Sequence, residues 1–248
     1  MLSEGDLSME LPSKNQKERY VREMFNGIAR KYDLMNTLMS MGRDRSWRKY
    51  AIHRARIGAG MNVLDVCCGT AELTLETART VGPEGHVTGL DFSEQMLAVG
   101  EQKVKNSECK DWVTLIQGNA MELPFEDNSF DAAIVGWGLR NVPDIDQVLR
   151  EMRRVVRPGG WVVSLDMAKP SVPVFKQAYW LYFNWLVPAM GKLTAKRKSA
   201  YQYLHDSSIA FDSQQQLTKR FAKNGLVNTR FHNLMGGVVA VVEGQRNG

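Results

Sequence analysis

Three apolar runs in this chain each end in residues able to hold a small polar ligand. Asn62-Val63-Leu64-Asp65-Val66 leads straight into Cys67-Cys68-Gly69-Thr70-Ala71, and a helical stretch follows. A strand feeding a glycine-bearing turn at a helix start forms the ligand crevice of an open α/β sheet, because glycine lets backbone lie close to what is bound. A tight turn with no ligand would use the same residues, so Gly69 alone decides nothing. The next run ends in Gly89-Leu90-Asp91, placing a carboxylate roughly 20 positions after the glycine turn. A carboxylate there accepts hydrogen bonds from both hydroxyls of a ribose. The third run ends in Gly118-Asn119-Ala120, where an amide and a backbone N–H can read an adenine ring. Three strand ends around one crevice point to an adenosine-containing ligand.

The turn chemistry narrows the ligand. A dinucleotide site would carry G-x-G-x-x-G, its second glycine admitting a pyrophosphate to the helix N-terminus. Here the turn reads C-C-G-T-A, and no basic residue nearby offsets phosphate charge. S-adenosylmethionine has no phosphate and carries a sulfonium cation. Asp65, at the end of the first run, suits its ammonium and sulfonium end. The expectation is a class I S-adenosylmethionine-dependent methyltransferase. A non-catalytic module for the same ligand and a nicotinamide-binding protein are the competing readings, which calorimetry with the two cofactors would separate. No D/N-P-P-Y run is present to grip a planar nitrogen, which argues against methylation of an amide or exocyclic amine.

The elements that must position these residues alternate in type. Strand-like runs at 62–66, 87–91, 113–117, 132–136 and 161–165 are interleaved with helical stretches at 72–80, 94–105 and 144–156. Such alternation argues for βαβ units and a parallel sheet covered on both faces. Pro158-Gly159-Gly160 reads as a turn ahead of the fifth strand. Before this core, Val21, Met24, Phe25 and Ile28 follow a plausible cap at Ser13 with helical spacing, and a second helix is expected over 44–57. After it, a helix over 213–224 ends at Gly225, and runs at 227–231 and 238–242 read as an antiparallel hairpin joined through Gly236-Gly237. The predicted fold is therefore a Rossmann-like, seven-stranded, mostly parallel α/β sheet. The 248 residues are expected to form a single domain: an N-terminal helical extension (1–58), a cofactor core (59–168), a helical insertion or lid (169–210) and a closing helix with hairpin (211–248).

With 44 % hydrophobic and 24 % charged residues, the composition is that of a globular chain and excludes collagen, disorder and a small disulfide scaffold. A net charge of +5 is too small to demand nucleic acid, which is not an expected partner. Cys67 and Cys68 are adjacent and Cys109 stands alone, a pattern suited to a reducing cytoplasm. The polar, acidic start does not read as a signal peptide. The most apolar window, 172–191, is interrupted by Lys176 and Asn184 and is not read as a membrane span. Its Tyr179, Trp180, Tyr182, Phe183 and Trp185 suit either a core or an apolar entry surface. Arg43, Arg45, Arg48, Lys49, Arg54 and Arg56, opposed locally by Asp44 alone, read first as a solvated helix face and second as a contact for anionic lipid head groups. The four histidines are scattered, and no His/Cys spacing suggests a metal, so none is expected.

Four runs carry a family resemblance: FNGIARKYDLMNTLMSMGRDRSW, VLDVCCGTAELT, GNAMELPFEDNSFD and GWGLRNVPDIDQVLREMRRVVRPGGWVV. Together they resemble the menaquinone/ubiquinone C-methyltransferases, especially the demethylmenaquinone branch, from about Phe25 to near Val242. The chain departs from the family pattern at Asp44, at Gly136, at Arg157 and at Asp166-Met167-Ala168. The resemblance implies methylation of a ring carbon of a prenylated quinol, with Thr70, Asp91 and the Asn119-Ala120 pair on the cofactor. It also implies that the segment bearing Tyr32 and Asp33 closes over cofactor and substrate. A small-molecule O- or N-methyltransferase of the same fold is the alternative, which leaves the YDLMN and GLRN runs unexplained. Ring methylation ortho to a hydroxyl needs phenolate character, and Arg140 and Asn141, just past the fourth strand, stand where they could favour it. A guanidinium stays protonated, so Arg140 is expected to stabilise charge rather than to take a proton; a structural arginine on loop carbonyls is the competing reading. The catalytic candidates are Arg140, Asn141 and Tyr32, and the cofactor candidates Gly69, Thr70, Asp65, Asp91, Asn119 and Ala120. The candidate partners are the quinol, the inner membrane face and a second copy of the chain.

Overall fold

The computed structural model describes residues 14–170, Tyr203 and 206–248. The expected insertion over 169–210, with its aromatic cluster and His205, falls largely outside them. Seven strands form one sheet in the order β3-β2-β1-β4-β5-β7-β6 among the described residues. The strands are β1 (Asn62–Val66), β2 (His86–Asp91), β3 (Val113–Gln117), β4 (Phe130–Gly136), β5 (Val156–Met167), β6 (Leu226–Leu234) and β7 (Val239–Arg246). β1 to β5 pair in parallel, and β7 runs antiparallel between β5 and β6. The central strands are apolar on both faces because helices cover both. One face packs against α2 (Asp44–Arg54) and α3 (Glu72–Val81). The other packs against α5 (Ile145–Val155) and the closing helix α6 (Gln214–Lys223). α6 begins in a capping box between Ser213 and Gln216 and stops before Gly225, whose φ is +81°.

The first helix, α1 (Lys14–Met39), is 26 residues long and carries the whole YDLMN run. Val21, Phe25, Ile28 and Ala29 face Met96 of α4 (Glu94–Lys105) and Tyr203, so α1 lies across the sheet's C-terminal edge rather than in either helical layer.

Two readings of the sequence need correction. The Pro158-Gly159-Gly160 run is not a turn before β5 but a bulge within it: Phe130 opposes Val156 and Ala132 opposes Trp161, so β4 advances two residues while β5 advances five. Gly159 takes φ +82°, and a Cβ on Gly160 would lie 2.4 Å from the Asp131 carbonyl oxygen. Arg43, Arg45, Lys49 and Arg56 of the basic cluster do face solvent, but the cluster is not opposed by Asp44 alone. Arg48 is buried and bonds Asp44 at 2.8 Å, Arg45 and Lys49 reach Glu76, and Arg54 and Arg56 reach the fully buried Glu243. The opposing acids come from α3 and β7, out of sight of local sequence. Paired in this way, the cluster offers little charge to a lipid surface.

Candidate active site

The chain leaves β1 toward β2 and leaves β4 toward β5, in opposite directions, so a crevice opens between their C-terminal ends. The loops there are tightly constrained. Cys67, Ala71 and Trp137 adopt left-handed backbone at φ +57°, +63° and +55°, a conformation costly for residues with a Cβ. A Cβ on Gly138 would lie 2.6 Å from that of Cys67, so the two loops meet only because residue 138 has no side chain.

The crevice encloses about 670 Å³ and brings together Gly69, Asp91, Asn119 and Ala120 from the sheet, Phe25 and Tyr32 from α1, and Asn141 from the turn after β4. Asp91 accepts from the backbone N–H of Gly69 at 2.8 Å and of Ser93 at 2.9 Å, one bond per carboxylate oxygen. Each oxygen keeps a lone pair for a ribose hydroxyl. Burial pushes its pKa up to about 6, with the backbone N–H bonds opposing. Asn119 spends its side-chain oxygen on the N–H of Met121 at 2.9 Å, leaving its NH₂ group to the crevice.

Asp65 and Thr70 lie not in this crevice but in a smaller cavity of about 370 Å³ that shares Gly69, Tyr32 and Cys67 with it. Asp65 accepts from the Thr74 hydroxyl at 2.7 Å through one oxygen, while the other is buried without a partner. Burial raises its pKa to about 7, and the nearby Asp91 charge adds to the effect. An orphaned carboxylate oxygen beside a glycine turn fits the cationic amino-acid end of S-adenosylmethionine, and the larger crevice fits its adenosine. The Thr70 hydroxyl donates to Asp33 of α1 at 2.5 Å rather than facing the crevice, a partner that sequence spacing did not reveal.

That contact belongs to a set of bonds fastening α1 over the site. Lys103 bridges Asp33 and Glu72, the Ser93 hydroxyl meets Asn26 at 2.6 Å, and the Lys17 ammonium donates to the carbonyls of Arg140 and Val142 at 3.0 and 2.9 Å. Sequence reading did not pick out Lys17, Asn26 or Lys103; their partners lie 31 to 125 residues away.

Arg140 and Asn141 are both buried but face different ways. Asn141 lines the crevice, donates to the Trp137 carbonyl at 3.0 Å and leaves its own side-chain oxygen without a partner. Arg140 is turned away from the crevice and pairs with the buried Asp166. The pairing uses one guanidinium nitrogen, leaving the Arg140 Nε and an Asp166 oxygen without partners. Tyr32 and Tyr203 are close enough to feel its charge, though burial holds both hydroxyls above their usual pKa, Tyr203 at about 12. Loop carbonyls do not hold the guanidinium, as the structural reading of Arg140 required; a carboxylate from β5 does. Asp166 had stood out in the sequence only as a departure from the family pattern.

A sheet of this order, with an adenosine-sized crevice at its switch point, defines a class I S-adenosylmethionine-dependent methyltransferase. A SAM-dependent methyltransferase from Aquifex aeolicus has the same fold, with a TM-score of 0.58 at 17 % identity over 80 % of this chain and 88 % of its own. Residues 13–246 match the ubiE/COQ5 methyltransferase family, and the chain belongs to it. It is 56 % identical to a demethylmenaquinone methyltransferase of Desulfitobacterium hafniense over 97 % of this chain and 95 % of that protein. A Staphylococcus aureus protein of the same name is 45 % identical over 92 % of this chain and 93 % of its own.

Asp91 carries the first test. Asp91→Ala removes charge-assisted bonds worth about 1.5–3 kcal/mol, so calorimetry should show S-adenosylmethionine bound roughly ten- to a hundredfold more weakly. In the wild type the ionised carboxylate is the acceptor, so affinity should hold above neutrality and fall as pH drops through about 6. Unchanged affinity in a folded Asp91→Ala protein would place the ribose elsewhere.

Proposed function

We propose that this chain transfers the methyl group of S-adenosylmethionine to a ring carbon of demethylmenaquinol, forming menaquinol in menaquinone biosynthesis. The observation that carries this reading is the identity of more than half the residues, across nearly the whole chain, with a protein named for that activity. S-adenosylmethionine supplies an electrophilic methyl on a sulfonium centre, an electrophile activated without a metal ion. The protein must place the ring, favour its phenolate form and exclude water.

The residues divide that work. Asp91, Asn119 and the Ala120 backbone hold the adenosine, and Asp65 holds the cationic end beside Gly69 and Thr70. Tyr32 and Asn141 line the cofactor crevice and help enclose the transferring methyl, Tyr32 with its hydroxyl bonded to Asn36. Arg140 stabilises charge on the quinol oxygen, and Asp166 fixes its orientation. Asp166 also neutralises part of its charge, so the favourable field arises only for an anion that reaches the unpartnered Nε. Electron density then collects on the carbon ortho to the oxygen, which would attack the methyl carbon in line as its bond to sulfur breaks and the neutral thioether, S-adenosylhomocysteine, departs; the ring proton is then lost to water as aromaticity returns.

The substrate's polyprenyl tail belongs in a bilayer, and we place the enzyme peripherally on the cytoplasmic membrane face. No helix of the described residues is long and apolar enough to cross a membrane. Support for surface contact comes from the end of α1, where the exposed Leu34 and Leu38 follow at i and i+4, with the exposed Met41 in the turn just beyond, beside the exposed Arg30 and Lys31. The paired cations of α2 do not contribute. A Leu34→Glu/Leu38→Glu protein should no longer co-sediment with anionic vesicles that retain the wild type; equal retention would leave α1 facing solvent.

The chemistry is tested at Arg140. Arg140→Lys keeps the charge and loses the planar fork, and Arg140→Ala loses both. Turnover of demethylmenaquinol should fall from wild type to Lys to Ala, with the Ala loss on the order of 10²–10³ as for one oxyanion donor. Cofactor affinity should barely change, because Arg140 faces away from the cofactor crevice. Raising the pH should partly restore the Ala variant by generating phenolate in solution. Near-normal turnover in a folded, cofactor-binding Ala variant would move catalysis away from Arg140.

A further inference from the structure

A third cavity, of about 580 Å³, lies between the end of α1, α2, the last residue of β5 and the start of β7. Nothing in the cofactor site accounts for it. Its walls are Met39, Trp47, Trp137, Met167, Met235 and Val239, with Arg140 at one side. Its other polar residues are largely committed: the Ser40 hydroxyl bonds Asp44 at 3.0 Å, Asp44 bonds Arg48, and Asn36 bonds Tyr32. The Arg140 Nε is buried and has no hydrogen-bond partner among the described residues.

Three methionines and two tryptophans make a wall suited to a flat, extended apolar ring. Thioethers adapt to an irregular outline and make favourable contacts with aromatic edges, while indoles stack. A single unpartnered cationic donor selects a ring that carries an oxygen able to bear negative charge. The position fits the reaction as well. Trp137 lines this cavity, the cofactor crevice and the Asp65 cavity, and Asn36 is shared with the last, so this cavity adjoins the cofactor site at Trp137.

We infer that this methionine-lined cavity seats the bicyclic ring of the quinol, with a ring oxygen on the Arg140 guanidinium and Trp137 against the ring face. The assignment deepens the proposed reaction and depends on it for the identity of the ring. It makes Met39, Met167 and Met235 contributors to substrate binding, although they carry no reactive group. Trp137 becomes a positioning residue, held by the same left-handed backbone that shapes the cofactor crevice.

Two half-buried wall residues on different elements allow the cavity to be filled: Met39→Trp at the end of α1 and Met167→Trp at the end of β5. Each should raise the KM for demethylmenaquinol roughly tenfold or more, the scale of one lost side-chain contact. S-adenosylmethionine should bind each variant as it binds wild type, which also reports that the variant is folded. A tail-free probe, 2-methyl-1,4-naphthoquinone, followed by calorimetry without turnover, should lose affinity in parallel. Wild-type KM and wild-type probe affinity in both filled variants would put the ring elsewhere and overturn the assignment. If the wild type bound the probe through this cavity yet did not methylate demethylmenaquinol, the proposed reaction would fail while the ring site stood.

Discussion

The approach of two loops at the C-terminal ends of β1 and β4 is the constraint on which the rest of the site depends. Gly138 lies against Cys67 at a distance that no side chain at 138 would permit, and three residues beside them hold left-handed backbone. This contact sets the width of the crevice. It turns the Gly69 amide onto Asp91, directs Asn141 toward the crevice and sends Arg140 to the other side of the turn. The strain is borne by a core whose strands are buried on both faces, where a local rearrangement would also disturb packing.

Two further features complete the enclosure. α1 covers the crevice and is fastened at its edges by side-chain bonds to α4, the β1 loop and the turn after β4. Water is thereby kept from a site where a buried Asp91 and a buried Asp65 both resist ionisation. A cation bound beside them would favour the charged form of both carboxylates, so binding and ionisation would reinforce each other. Arg140 shows the opposite arrangement: its charge is already partnered by Asp166, which leaves it oriented and only partly neutralised.

Much of this site was legible in the sequence because its parts are local. Gly69, Asp91 and the Asn119-Ala120 pair each sit at the end of their own strand, so strand periodicity and a glycine turn were enough to place them in one crevice. Asp65 was found by the same logic, although it faces the adjoining cavity. Features made by distant partners were not legible. The Pro158-Gly159-Gly160 run has the composition of a turn, and only its pairing with β4 shows a bulge. The α2 cations looked uncompensated because Glu76 and Glu243 belong to other elements. Lys17 and Lys103 carried no local signal at all. The family resemblance supplied what spacing did not, the expected reaction and the expectation that the Tyr32 segment closes over the site, but the Asp166 pairing emerged only from the fold.

The central claim is that the site directs a methyl group to carbon on an oxygen-bearing ring. It is tested most directly by supplying S-adenosylmethionine labelled with ¹³C in its methyl group together with demethylmenaquinol, and locating the label in the product by NMR. The account predicts a ¹³C methyl bonded to the ring carbon ortho to the hydroxyl, with both quinol oxygens unmethylated. Label found as a methoxy group would contradict it, and would assign the enclosure around Arg140 to an O-methyltransferase.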